Sequence, residues 1–175
     1  AIGLTPCELR TGLPERSAVI PPERVRYLAE IAEACRGYDA WVDAHFDEQL
    51  KFLQELVRVP TDTPPGNNAP HAERTAELLQ AFGFQAENHP VPAQQVKDYG
   101  LQSITNLIVR RPYGAGRTIA LNAHGDVVPP GEGWTHDPYG GEVVDGKLYG
   151  RASAVSKSDF ATYTFAVRAI ETLKA

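Results

Sequence analysis

Apolar positions recur along this chain at two periods, one of about three to four residues and one of two, and the switches between them divide it into helices and strands. Trp41, Phe46, Leu50, Leu53 and Val57 recur at spacings of five, four, three and four. They oppose a polar face of Asp43, Asp47, Glu48, Lys51 and Glu55, which predicts an amphipathic helix. Pro60 closes it, because a proline disfavours helical geometry in the residue before it. Ahead of this helix, Pro21-Pro22 leads into another over roughly Glu23 to Cys35, with Val25, Leu28, Ala32 and Cys35 on one stripe. Gly37 is its expected terminator. A third helix, about Ala69 to Phe82, turns Ala72, Ala76, Leu79 and Phe82 inward, with Asn68 as its cap and Gly83 as its stop. Phe84 to Val91 reads as a strand and Pro92 to Gly100 as a polar connection. Ser103 to Arg110 and Arg117 to His124 form an expected hairpin through the turn at Pro112 to Gly116. Glu142 to Gly150 is a short second hairpin, and Ser158 to Leu173 a last helix with Phe160, Tyr163, Val167 and Ile170 at turn spacing.

Helices thus alternate with strands, and the strand through Ile119, Ala120, Leu121 and Ala123 is apolar on both faces. That pattern predicts an α/β fold with a mixed β-sheet flanked by helices on both faces. Sites in such folds lie beyond the carboxyl ends of strands, where His124 falls. Residues 1–20 show no period and read as a poorly defined extension, whereas 21–175 read as one domain.

Composition narrows the function classes. The 175 residues carry a net charge of -5, with 42% hydrophobic and 22% charged positions, the balance of a soluble globular protein. Lys and Arg are scattered, which argues against a nucleic-acid surface. No apolar run reaches the roughly 20 residues a membrane span needs, so no membrane partner is expected. Cys7 and Cys35 are too few for a disulfide framework and read as free thiols of a reducing, cytoplasmic compartment.

The chemistry concentrates between Thr118 and Arg151. Residues two apart in an extended chain point to the same side, so the imidazole of His124 and the carboxylate of Asp126 leave the backbone together. A metal-bound histidine wants a carboxylate on its second ring nitrogen. By spacing alone, His-x-Asp at a strand end is usually a surface turn, in which Asp126 would bond amides of its own turn.

The surrounding residues carry more. Ala120-Leu121-Asn122-Ala123-His124-Gly125-Asp126-Val127-Val128-Pro129, then Trp134, Asp137-Pro138-Tyr139 and Asp145-Gly146-Lys147-Leu148-Tyr149-Gly150-Arg151 strongly resemble the di-zinc peptidases and deacylases. That group includes aminoacylase, glutamate carboxypeptidase, acetylornithine deacetylase and succinyl-diaminopimelate desuccinylase. The segment Leu56-Val57-Arg58-Val59-Pro60-Thr61 and the helix and hairpin after it are similar to the start of their catalytic domain. The resemblance implies a zinc-dependent hydrolase of amide or peptide C–N bonds, with His124 as a zinc ligand and Asp126 orienting its ring. The implied substrate is a small peptide or an N-acyl amino acid, and a homodimer is implied for the full-length protein.

Two departures shape the expectation. In that family the run after Gly-Arg carries an Asp shared by both metals. Aligning Lys157 with the family's lysine puts Val155 at that position, and an isopropyl group cannot bind zinc. One or two zinc ions therefore remain open, with the second site weakened. Asp159 reads better as a helix-start residue than as a substitute ligand, and Ser156 as a weak oxygen ligand ranks lower still. The family's general-base Glu and its later ligands also have no counterpart here, so residues 21–175 are expected to be the N-terminal part of a truncated catalytic domain, inactive alone. The alternatives are an altered-metal relative or a non-catalytic binding or scaffold module. His45 and His71 are expected to be partly exposed surface residues, and His136 lies in the loop after the motif, where contact with substrate ranks below a surface role. Trp134, Pro138 and Tyr139 are expected to pack that loop against the second hairpin, and a Ser-Lys nucleophile at Ser156, Lys157 and Ser158 lacks its usual surroundings.

Overall fold

A computed structural model describes residues 22–173. The expected extension over residues 1–20, and Cys7 with it, lies outside the described residues. The elements in chain order are α1 (Pro22–Ala44), α2 (Phe46–Val57), α3 (Ala69–Ala81), β1 (Ala86–Pro90), α4 (Ala93–Asp98), β2 (Thr105–Val109), β3 (Glu142–Val144), β4 (Lys147–Tyr149) and α5 (Lys157–Leu173).

The core forms where α2, α3 and α5 meet. Phe52, Leu56, Leu79, Phe84, Ala161 and Phe165 are buried together there, each large side chain contributing about 1.5–3 kcal/mol by leaving water. Phe165 meets Phe52 and Phe82 edge-on, at 6.2 and 5.4 Å between ring centres. The Arg168 guanidinium lies 4.0 Å over Phe82 and 4.8 Å over Phe165 and pairs with Glu48 at 3.0 Å, so α2 and α5 are tied at the edge of the aromatic cluster. Arg111 beyond β2 makes two bonds of 2.7 Å to Glu171 of α5.

The α/β class holds, and the sheet takes the form of two separate antiparallel pairs. β2 pairs with β1, Ala86 opposite Val109 and Pro90 opposite Thr105, and β3 pairs with β4. Residues 117–124, expected as β2's hairpin partner, form no strand. A strand apolar on both faces needs a covering layer on each, and here Ile119 stays 83% exposed. Helix boundaries also differ from expectation. α1 runs through Gly37 and breaks only at His45, whose ring stacks on Trp41 at 3.8 Å. Interior glycine costs a helix about 1 kcal/mol, and the packing of Trp41 on Phe165 keeps the next turn helical. The stripe of Val25, Leu28, Ala32 and Cys35 stays exposed. In α5 the buried residues are Lys157, Ala161, Thr164, Phe165 and Ala169; of the expected stripe, Phe160 and Val167 pack partly buried against the core, and Ile170 stays exposed. Residues 93–98, expected as a polar connection, form the short α4. Asn68 does precede α3, but the Ala69 amide is capped by Ser103 Oγ at 3.0 Å. Among the described residues no helix is long and apolar enough to cross a membrane.

Candidate metal centre

The His124-Gly125-Asp126 loop is seated on helix α3 and on the segments that follow α2 and precede α5. From the end of α2, buried Thr61 donates its hydroxyl to the Gly125 carbonyl at 2.7 Å, and its carbonyl accepts from the Val127 amide at 3.1 Å. The Thr63 amide donates to the Val127 carbonyl at 2.7 Å, making a parallel bridge between Asp62 and Val127. From the start of α5, Ser156 Oγ accepts from the His124 amide at 2.9 Å. From α3, the His71 ring lies against Gly125, so close that a Cβ there would fall 2.7 Å from Nδ1.

On the open side of this loop the two candidate residues face each other. His124 Nδ1 lies 3.1 Å from the Asp126 carbonyl oxygen and 3.2 Å from Asp126 Oδ1. Both neighbours are acceptors, so Nδ1 carries the proton and Nε2 keeps its lone pair. That is the arrangement a metal-binding imidazole requires. With Val127, Val128, Arg151, Ala152 and Val155 they line a cavity of about 240 Å³. Arg151 is oriented there by a bond from Nε to the Val128 carbonyl, 2.9 Å. Val155 lines the same cavity and is 61% exposed, with no donor atom to offer. A larger cavity of about 440 Å³ between α1 and α5 is lined by Tyr38, Asp39, Val42, Ala166, Ala169 and Ile170; it holds no histidine and lies away from this chemistry.

Zinc takes nitrogen, sulfur and oxygen ligands, three from the protein in catalytic sites. One imidazole with its second nitrogen held by a carboxylate fits that chemistry. The set is incomplete, because among the described residues no three His, Cys, Asp or Glu side chains stand together to hold an ion.

Beneath the loop lies a buried polar layer that the sequence reading missed. His71, expected on the surface, is 4% exposed; its helix turns it under Gly125 rather than outward. Burial, with the charge of Lys157 added, pushes its pKa down to about 3. Lys157 is fully buried and donates from Nζ to the Val59 carbonyl at 2.8 Å. Burial lowers its pKa to about 8, against a smaller opposing pull from Asp62. Tyr139 donates its hydroxyl to Asp62 Oδ1, and burial, then that bond, raise its pKa above the usual phenol value. Tyr139 therefore ties its loop to the segment after α2.

The remaining candidates fall elsewhere. Asp159 sits in the first turn of α5, its amide bonded to the Ser156 carbonyl at 2.9 Å, and does not line the cavity. Ser156 serves the His124 amide, and Lys157 points to Val59, so neither forms a nucleophile pair. His45 is half-buried on Trp41. His89 faces Glu87 at 3.2 Å. His136 faces Glu142 at 3.0 Å and stacks on Tyr149, tied to the β3–β4 hairpin instead of the cavity. Trp134 donates to the Pro130 carbonyl within its own loop.

Comparison with known proteins places this geometry. The family model described as peptidase family M20/M25/M40 matches residues 120–175, the stretch that holds His124, Asp126 and Val155. The succinyl-diaminopimelate desuccinylase of Rhodospirillum centenum is 34% identical over 122 residues, 69% of this chain and 30% of that protein. That of Rhodospirillum rubrum is 38% identical over 120 residues, 69% and 29% of the two chains. That of Methylobacterium radiotolerans is 39% identical over 116 residues, 66% and 28%. The chain spans about 30% of the length of the curated relatives it matches. No solved structure matches it. With the matched stretch coinciding with the loop and cavity just described, the chain belongs to peptidase family M20/M25/M40.

Proposed function

We propose that residues 21–175 are the first part of the catalytic domain of a metal-dependent hydrolase of amide C–N bonds. The observation that carries this reading is the pairing of His124 Nδ1 with Asp126, which leaves Nε2 free at a 240 Å³ cavity. His124 would hold a zinc ion through Nε2, and Asp126 would keep the ring in that tautomer and raise its basicity. When bound, zinc supplies a water acidic enough to ionise near neutral pH and polarises a carbonyl. Val127 and Ala152 are buried at the base of this space, whereas Val128 and Val155 stand exposed at its open rim. Val155 also leaves Asp126 as the only carboxylate lining the cavity among the described residues, which favours one ion over two.

The substrate class that fits is an N-acyl amino acid or short peptide. The relatives named as desuccinylases support this, and so does Arg151, whose guanidinium lines the cavity and suits a carboxylate. The test measures bound zinc per chain, and amine release from an N-acyl amino acid, on the protein at its natural length. One zinc in the wild type, lost together with hydrolysis in His124→Ala, is the expected result, and Val155→Asp should add a second ion. Unchanged zinc binding in His124→Ala would overturn the assignment, and zinc binding with no hydrolysis would turn the reading toward a non-catalytic module. Size in solution at that length tests the homodimer.

A further inference from the structure

His71 is a residue that the proposed chemistry does not use. It lies in the first turn of α3, two residues after Ala69. Its carbonyl accepts from Thr75 Oγ1 at 2.7 Å, and its ring meets that of Phe160 edge-on at 5.7 Å. Nε2 is buried with no hydrogen-bond partner. An unpaired buried nitrogen is destabilising, so a residue kept only to fill space would be an apolar one. The other edge of the ring explains the choice. A Cβ on Gly125 would lie 2.7 Å from His71 Nδ1 and 2.8 Å from Cε1, nearer than such atoms approach. Gly125 is not among the glycines at positive φ, so the backbone conformation does not require glycine there; the ring does. A six-membered ring in the same place would reach further and press on the Gly125 backbone.

We propose that His71 is a positioning residue for the His124-Gly125-Asp126 loop: its small buried ring sets how deeply Gly125 sits, and so the spacing at which the His124 ring meets the Asp126 carboxylate. Thr61 holds the loop from the α2 side and Ser156 from the α5 side, by hydrogen bonds. His71 supplies the α3 side by contact. Part of the consequence, metal affinity, rests on the proposed role of His124, so the test separates the two.

The experiment compares wild type, Gly125→Ala, His71→Phe, His71→Ala and the double variant Gly125→Ala/His71→Ala. The first readout is the ¹⁵N shifts of the His124 imidazole in metal-free protein, which report the tautomer and the Nδ1 bond to Asp126. Thermal melting is followed alongside, and Co²⁺ serves as the metal probe. Gly125→Ala and His71→Phe should both move the His124 shifts and weaken Co²⁺ binding roughly 10–100-fold, as losses in support around a metal ligand do. The double variant, with room for the methyl group, should return the His124 shifts toward wild type and recover about tenfold or more of that affinity. If one single variant fails to fold, the other and the double variant carry the same comparison. His124 shifts identical to wild type in every folded variant, with only the melting temperature changed, would reduce His71 to packing and overturn the inference. Co²⁺ that fails to bind wild type would refute the metal role of His124, while the shifts still decide the role of His71.

Discussion

Lys157 gives the sharpest quantitative expectation. Its side chain is fully buried, and its Nζ has a hydrogen bond to the Val59 carbonyl. The groups facing it are Asp62, which favours its charge, and His71, which stays neutral at these pH values. A free lysine releases its proton near 10.5, whereas Lys157 does so at about 8. Between those values the unfolded chain binds more protons than the folded one, so stability must rise with pH in that window. Below it the cost of burying the charge is constant. The full difference is about 3 kcal/mol, of which about 2 kcal/mol is recovered by pH 9.5. That is a sizeable share of the 5–15 kcal/mol typical of a domain. Urea unfolding followed by tryptophan fluorescence from pH 7 to 9.5 measures it, with Lys157→Met as reference. The upper limit keeps the raised Tyr139 phenol protonated in the fold and out of the comparison. Only the slope matters, because the variant also leaves the Val59 carbonyl unpaired and shifts the whole curve. Wild type should gain on the variant steadily above pH 8. Parallel curves would show that Lys157 is not desolvated, and the account of the buried layer would fall.

His71 acts at the other end of the scale. Its pKa falls from 6.5 free to about 3 folded, so the stability present above pH 6.5 is lost as pH falls toward 3, up to about 5 kcal/mol. His71→Leu should unfold at a lower pH by circular dichroism, and an unchanged acid midpoint would contradict this. A Cβ on Gly150 would lie 2.4 Å from Val57 Cγ1, a buried atom. Gly150→Ala should therefore cost about 1–3 kcal/mol. Val57→Ala should return part of it in a double-mutant cycle, whereas simple additivity would show that the two do not touch. Arg168→Lys keeps the charge facing Glu48 but loses the planar group over Phe82; a loss of about 1 kcal/mol is expected in urea unfolding, and no loss would dismiss the stacking.

Features set by neighbours along the chain were legible in the sequence. The 3.6-residue period delimits α3 and α5 to within a residue, Pro60 lies just past the end of α2, and the β3–β4 hairpin follows its turn residues. His124 and Asp126 could be paired by spacing because residues two apart share a side, and the structure has them 3.2 Å apart. What the sequence left open depended on which surfaces meet. β2 pairs with β1 along one edge, and residues 117–124 form no strand on the other, because pairing depends on which edges meet in space and not on the local pattern. In α5 the deepest residue is Phe165, off the expected stripe, because it packs against Phe52 and Phe82, while Phe160 and Val167 of that stripe flank the core. The supports of the His124 loop, Thr61, His71 and Ser156, come from three distant parts of the chain, and none has a local pattern that marks it. Periodicity and turn chemistry act within a few residues, so the chain alone carries them. Burial of His71, the anchoring of Lys157 and the seat of Gly125 arise between residues tens of positions apart, and they exist only once the helices have packed.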